Sequence, residues 1–227
     1  MPRKSVAKRR PFKRRRVRRR RTMRPGRALS SSMNVHRFKR KVALPPLVIY
    51  GGTNGYVGFA LKFALSDLPG SSDFTSLFDQ YRIDLIKIYL VSRTNSVSIM
   101  EGLNNRVGTV QGIFCTDHDD STGPTSDENG MNEMRERDKS RSFIFGQSQV
   151  YKHVLKPAIA TEVFRTALTT AYAPRFSPKL DMSFADVPHF GFKGVVKIPI
   201  TSGVVPAGLD LPIDVYATYY LTCYDVR

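Results

Sequence analysis

An all-β domain carrying a basic N-terminal arm is the fold class this sequence predicts, and three observations predict it. Residues 1–41 hold 19 of the 36 Lys and Arg residues and no Asp or Glu. The remainder carries 17 basic and 19 acidic residues, a net of −2, so all the excess positive charge lies in the first fifth of the chain. Beyond it, about eight short stretches alternate apolar and polar residues with the period of half-buried strands. No βαβ rhythm and no long helical period separates them, which favours a sandwich, jelly roll or barrel. At 227 residues the chain suffices for one domain with a sizeable core plus a tail.

Residues 1–32 read as a disordered, arginine-rich arm and residues 33–227 as the folded body. Like charges at this density repel, and almost nothing apolar is present to offset the entropy of ordering. Pro2, Pro11 and Pro25 oppose a long helix, and Ser30–Ser32 form a hinge. Fourteen basic residues fall within the first 24: Arg3, Lys4, Lys8, Arg9, Arg10, Lys13, Arg14, Arg15, Arg16, Arg18, Arg19, Arg20, Arg21 and Arg24. That exceeds what solubility or a short import signal requires. They are the candidate nucleic-acid contacts, with nuclear import as a compatible second role. A cationic patch folded into the globular surface is not expected from so sharp a split.

The elements of the body follow in order. Val35–Tyr50 reads as an entry segment and first strand, interrupted at Pro45–Pro46, and Gly51–Gly55 as a turn. In Tyr56–Leu65, Val57, Phe59, Leu61, Phe63 and Leu65 make one large apolar face. Phe74–Asp79 suits a short helix capped by Ser71, Ser72 or Asp73. Tyr81–Val91 is the clearest strand, and its adjacent Leu85 and Ile86 call for a bulge or two-sided burial. Ser96–Met100 suits an edge strand and Thr109–Cys115 a further strand. Thr116–Arg141 is acidic and longer than ordinary loops, which predicts a surface loop with one helical turn near Met131–Arg137. Ser142–Phe145, Ser148–Leu155, Phe190–Ile198 and Ile213–Tyr224 are further strands. Thr161–Thr169 fits helix or strand, Lys179–Pro188 reads as irregular and Ser202–Leu211 as a connecting loop.

Enzyme chemistry finds little support. His36, His118, His153 and His189 form no HExxH pair, and no GxxxxGK[ST], GxGxxG or CxxC occurs. Cys115 and Cys223 cannot make a disulfide scaffold. Cys115, Asp117, His118, Asp119 and Asp120 are the nearest approach to a cation site, but lack EF-hand spacing. No cofactor or metal is therefore expected. No apolar stretch suits a secretory signal or membrane helix, so membrane insertion is not expected either. Among Tyr216, Tyr219, Tyr220 and Tyr224, only those on an exposed face suit base stacking, because Val215, Ala217, Tyr219, Leu221 and Cys223 alternate as a core strand. A ribosomal or chromatin-associated nucleic-acid-binding protein is the alternative that charge and fold class leave open.

Several patches carry a resemblance. Leu68-Pro69-Gly70 precedes FTSLFDQYRIDLIKIYLVSR (Phe74–Arg93), whose Phe78–Ile83 stretch reads aromatic-x-x-Tyr-Arg-Ile. With the Arg-rich start, VYKHVLKP (Val150–Pro157) and the closing VYATYYLTCYDVR, the chain resembles capsid proteins of small circular single-stranded DNA viruses, the circovirus-like and related groups. The resemblance in layout spans nearly the whole chain. It implies a single viral jelly roll, an eight-stranded antiparallel sandwich, with Tyr81, Arg82 and Ile83 as structural strand residues. It implies sixty copies in a T=1 icosahedral shell around circular single-stranded DNA, with the arm binding genome and host nuclear-import receptors. It also implies outer loops that engage a host-surface receptor or glycan, no enzyme activity, and residence in the virion and host nucleus. The acidic 116–141 segment would be an outer or inter-subunit loop, meeting basic groups of a neighbour or cations.

Overall fold

Alternation of large apolar with polar residues builds two sheets that bury their apolar faces against each other. The computed structural model describes residues 34–50, 52–93, 100–101, 105–106, 109–118, 122–146, 150–165, 170–199, 204–205, 207 and 210–226. The chain divides into a unit of residues Met1–Met33 and a unit of Asn34–Arg227, and every described residue belongs to the second.

Along the chain come β1 (Val35–Ile49), β2 (Tyr56–Phe63), α1 (Ser71–Leu77) and β3 (Phe78–Ser92). Next are β4 (Met100–Glu101), β5 (Asn105–Arg106), β6 (Gln111–Cys115), α2 (Glu128–Glu136), β7 (Arg141–Ile144) and β8 (Val150–Leu155). The last are β9 (Ala158–Arg165), β10 (Thr170–Phe176), β11 (Leu180–Asp181), a 3₁₀ turn at Met182–Phe184, β12 (His189–Lys197) and β13 (Leu211–Val226).

Eight of these strands make the sandwich. The first sheet runs β1-β13-β3-β8 and the second β2-β12-β6-β7, with antiparallel neighbours throughout. The first strand pairs with the last, and the second with the one before it. This is the nested order of a jelly roll. The remaining strands decorate the connections. β9 and β10 form a hairpin joined to the second sheet at Phe190, β11 extends the first, and β4 pairs with β5. The core between the sheets includes Phe63, Tyr81, Ile83, Ile86, Ile88, Phe114, Phe192, Tyr219 and Leu221. Complete burial of an aliphatic or aromatic side chain of this size is worth roughly 1.5–3 kcal/mol.

The bulge in β3 has a definite place. Ile83 faces Leu221 and Leu85 faces Tyr220, so Asp84 is the extra residue. Tyr81 and Ile83 point inward before it, and Ile86, Ile88 and Leu90 after it. The register of β1 shifts likewise across Pro45–Pro46, where proline cannot supply the ladder donor.

Several expectations need correction. The cap of α1 is Gly70 (φ 73°), with no side-chain hydrogen bond, and Ser71, Ser72 and Asp73 lie inside the helix. Only glycine takes that left-handed conformation without strain. The acidic segment is not merely a surface loop. It holds the nine-residue α2, which starts at Glu128 because the Asp127 side chain accepts from the Gly130 N–H at 2.8 Å. Residues 158–165 are a strand, 170–176 pair with them, and 179–188 include β11 and the 3₁₀ turn. Of the edge strand expected at Ser96–Met100, only Met100 lies within the described residues.

Candidate functional site

The two sheets differ on the faces they turn away from the core. On the second sheet, α2 lays Met131 and Met134 against Ile113, Cys115 and Val195, with Tyr56 at the margin. Asp117 and Lys193 are both buried and form an ion pair at 3.1 Å. Arg137, just past α2, also pairs with Asp117 and reaches Glu133 at 2.7 Å. The helix is thus held by a charged cluster and an apolar patch. The free edge of β2 is covered as well. The Ser126 hydroxyl accepts from the Gly58 N–H at 3.0 Å, and any Cβ at residue 58 would collide with the Pro124 carbonyl.

No such cover lies over the first sheet among the described residues. Its outward face carries Arg37, Lys39 and Lys41 of β1, Tyr216 and Tyr220 of β13, Arg82, Lys87 and Tyr89 of β3, and Lys152 of β8. Strand pairing sets them in rows. Lys39 lies beside Tyr220, Lys41 beside Thr218 and then Lys87, and Tyr216 beside Tyr89 and then Lys152. The Lys41 ammonium is 4.6 Å from the Tyr216 ring centre, and Lys87 and Lys39 are 4.7 and 6.0 Å from that of Tyr220. A hydrogen bond between Lys87 and Tyr220 holds the ammonium pKa above its usual value and the phenol below its own. Thr218 and Thr222 lie beneath these taller neighbours and are buried. Both nearby carboxylates are engaged: Asp84 with Arg82 at 2.6 Å and with the Thr222 hydroxyl, Asp214 with Arg93 at 2.6 Å. A shallow cleft of about 360 Å³ opens here, lined by Arg37, Phe38, Arg82, Asp84, Leu85, Tyr220 and Leu221.

This face changes the reading of the charge. Arg37, Lys39, Arg40 and Lys41 belong to β1, not to the arm. With Met33 as the boundary, the first unit has 15 basic residues, and the second has 21 against 19 acidic, a net of +2. A cationic patch is therefore folded into the globular surface, contrary to expectation. Its signal was present in the sequence: Arg37, Lys39 and Lys41 alternate with His36, Phe38 and Val42. The arm residues Arg3, Lys4, Lys8, Arg9, Arg10, Lys13, Arg14–Arg16, Arg18–Arg21 and Arg24 lie outside the described residues.

The Tyr-Arg-Ile segment divides between core and surface. Tyr81 is fully buried and donates to the Phe184 carbonyl at 2.8 Å, and burial pushes its phenol pKa well up. Ile83 is in the core, whereas Arg82 sits outward, its guanidinium 5.8 Å from the Tyr224 ring centre. The residues considered for a cation are otherwise committed. Asp117 is paired, the His118 ring bonds the Lys156 carbonyl at 2.9 Å, and Asp119 and Asp120 lie outside the described residues. No group of three His, Cys, Asp or Glu gathers among the described residues. Burial raises the pKa of both thiols, Cys223 to about 11, which keeps them protonated and unreactive. Among the described residues no helix is long and apolar enough to cross a membrane.

A jelly-roll sandwich is a fold that viral capsid subunits share with other proteins. Here the sequence decides: the chain belongs to the circovirus capsid protein family, whose profile matches residues 7–227. The protein is therefore a structural capsid protein, a component of the virion. Two solved structures share the fold. The 60-mer BFDV capsid protein aligns with a TM-score of 0.61 at 16% identity, covering 86% of this chain and 96% of that one. The decameric BFDV capsid protein aligns with a TM-score of 0.52 at 13% identity, covering 84% and 99%. No curated protein sequence matches. Family membership displaces the ribosomal or chromatin-associated alternative.

Proposed function

We propose that this chain self-assembles into an icosahedral T=1 shell that packages circular single-stranded DNA, with residues 1–32 as the genome-binding arm and residues 33–227 as the shell-forming body. The observation that carries the packaging role is the set of 14 basic residues, unopposed by any acid, that ends at Arg24 on a chain of the circovirus capsid family. The BFDV capsid protein forms a 60-mer, and sixty is the copy number we carry to this chain. Sixty arms then bring on the order of 10³ positive charges, the scale of a small single-stranded genome. Contacts of this kind are made to phosphate and read little sequence.

The same arm would engage host nuclear-import receptors and take the protein to the host nucleus. Outer loops would meet a host-surface receptor or glycan. Tyr81 and Ile83 serve the strand and its packing. The protein's role is structural, without catalysis. The acidic segment between β6 and β7 offers charge for contact with a neighbouring subunit.

The test compares the full chain with a variant in which Arg14–Arg16 and Arg18–Arg21 are all changed to Gln. Light scattering and negative-stain microscopy report particles, and absorbance at two wavelengths reports packaged nucleic acid. Uniform spheres are expected from both, with nucleic acid greatly reduced in the variant. A chain that stays monomeric at every concentration and salt, or a variant that packages as much as the parent, overturns the reading.

A further inference from the structure

We propose that the outward face of the β1-β13-β3-β8 sheet is a second nucleic-acid site, a stacking platform for single strands centred on Tyr216 and Tyr220 and lined by Lys39, Lys41 and Lys87. The proposal rests on the packaging function above but concerns the folded body, not the arm.

Three features of the face fit a single strand. Its aromatic rings each carry an ammonium neighbour, at 4.6 Å for Lys41 on Tyr216 and 4.7 Å for Lys87 on Tyr220. A nucleotide needs those two chemistries side by side, an aromatic surface for the base and a cation for its phosphate. Lysine suits the arrangement because its flexible stem lets the ammonium swing from ring to phosphate. Second, the nearby carboxylates, Asp84 and Asp214, already hold Arg82 and Arg93, so they set little unpaired negative charge against a phosphate. Third, the cleft of about 360 Å³ beside Tyr220 gives a base a recess instead of a flat sheet. A duplex hides its base faces within its own stack, so only unpaired bases can use the rings. Strand geometry fixes the positions: the rings stand on alternate outward positions of one strand, held by ladders on both sides.

The experiment uses the full chain with oligothymidylate containing 5-iododeoxyuridine. Ultraviolet cross-linking followed by peptide mapping is expected to place adducts on Tyr216 or Tyr220. In parallel, the double variant Y216L/Y220L should bind oligothymidylate at least about tenfold more weakly at fixed salt, with an unchanged salt slope and unchanged duplex affinity. K39Q/K41Q should reduce the salt slope by about two, one for each lost phosphate contact. Adducts confined to residues 1–33, or parental single-strand affinity in Y216L/Y220L, would overturn the proposal. Cross-linking on the unaltered chain decides even where a variant fails to fold. All these readouts use soluble protein, so they stand apart from shell formation: particles that package DNA while cross-links stay in the arm sink this site alone.

Discussion

The two sheets of this jelly roll are closed on one side by the same core, yet their outer faces have opposite fates. The second is covered by α2, which buries Met131 and Met134 on Ile113, Cys115 and Val195 and locks Asp117 between Lys193 and Arg137. The first is left open among the described residues and carries lysines beside tyrosines. The contrast shows in the strands themselves. In β12 every residue from Gly191 to Val196 is buried, while β1 alternates core and exposed positions along much of its length. A strand covered on both faces cannot carry free charge, since a buried ion needs a partner. A strand covered on one face can, and β1 does.

The largest expected effect comes from breaking the covered side. Asp117→Ala strands Lys193 and Arg137 without their shared carboxylate, and urea unfolding should report a loss of about 3–5 kcal/mol. Met134→Ala opens a cavity under α2 and should cost about 2–4 kcal/mol in the same assay.

The layer between the sheets should respond to pH where the open face does not. Burial pushes His153 from 6.5 down to about 4, and lowers His189 as well. Between those values the unfolded chain binds more protons than the folded one. Stability should therefore fall as pH drops from about 6.5 to 4 and lose this dependence below it. His153→Gln should flatten that slope in unfolding curves measured at several pH values. At the small end, K39Q/K41Q removes charge from the open face and should shift stability by no more than about 0.5 kcal/mol.

Much of the sandwich was legible in sequence because each sandwich strand keeps one apolar face. The alternation through Phe59 and Phe63, and through Val215 to Cys223, states which side is buried before any partner is known. The adjacent pair Leu85–Ile86 even announced a bulge, which falls one residue earlier at Asp84. The cover over the second sheet was harder to see. Met131 and Met134 are two apolar residues three apart amid eight acids, and only the tertiary contact with Val195 makes them a face. β10 escaped notice because Tyr172 and Phe176 are exposed, so no buried side marks it as a strand. The site was obscured by its neighbour in sequence. Arg37, Lys39 and Lys41 follow a long basic run and merged with it, although their period of two marks them as strand residues. Tyr216 and Tyr220 join them only through pairing between β1 and β13, separated by nearly the whole chain.

Lysine acylation with mass-spectrometric readout, performed on the full chain with and without oligothymidylate, tests the contrast between the two faces most directly. Lys39, Lys41 and Lys152 should react quickly in the free protein and be protected by the oligonucleotide, while Lys193 stays unreactive in both. Rapid modification of Lys193, or equal reactivity of Lys39 and Lys41 with and without the oligonucleotide, would contradict it.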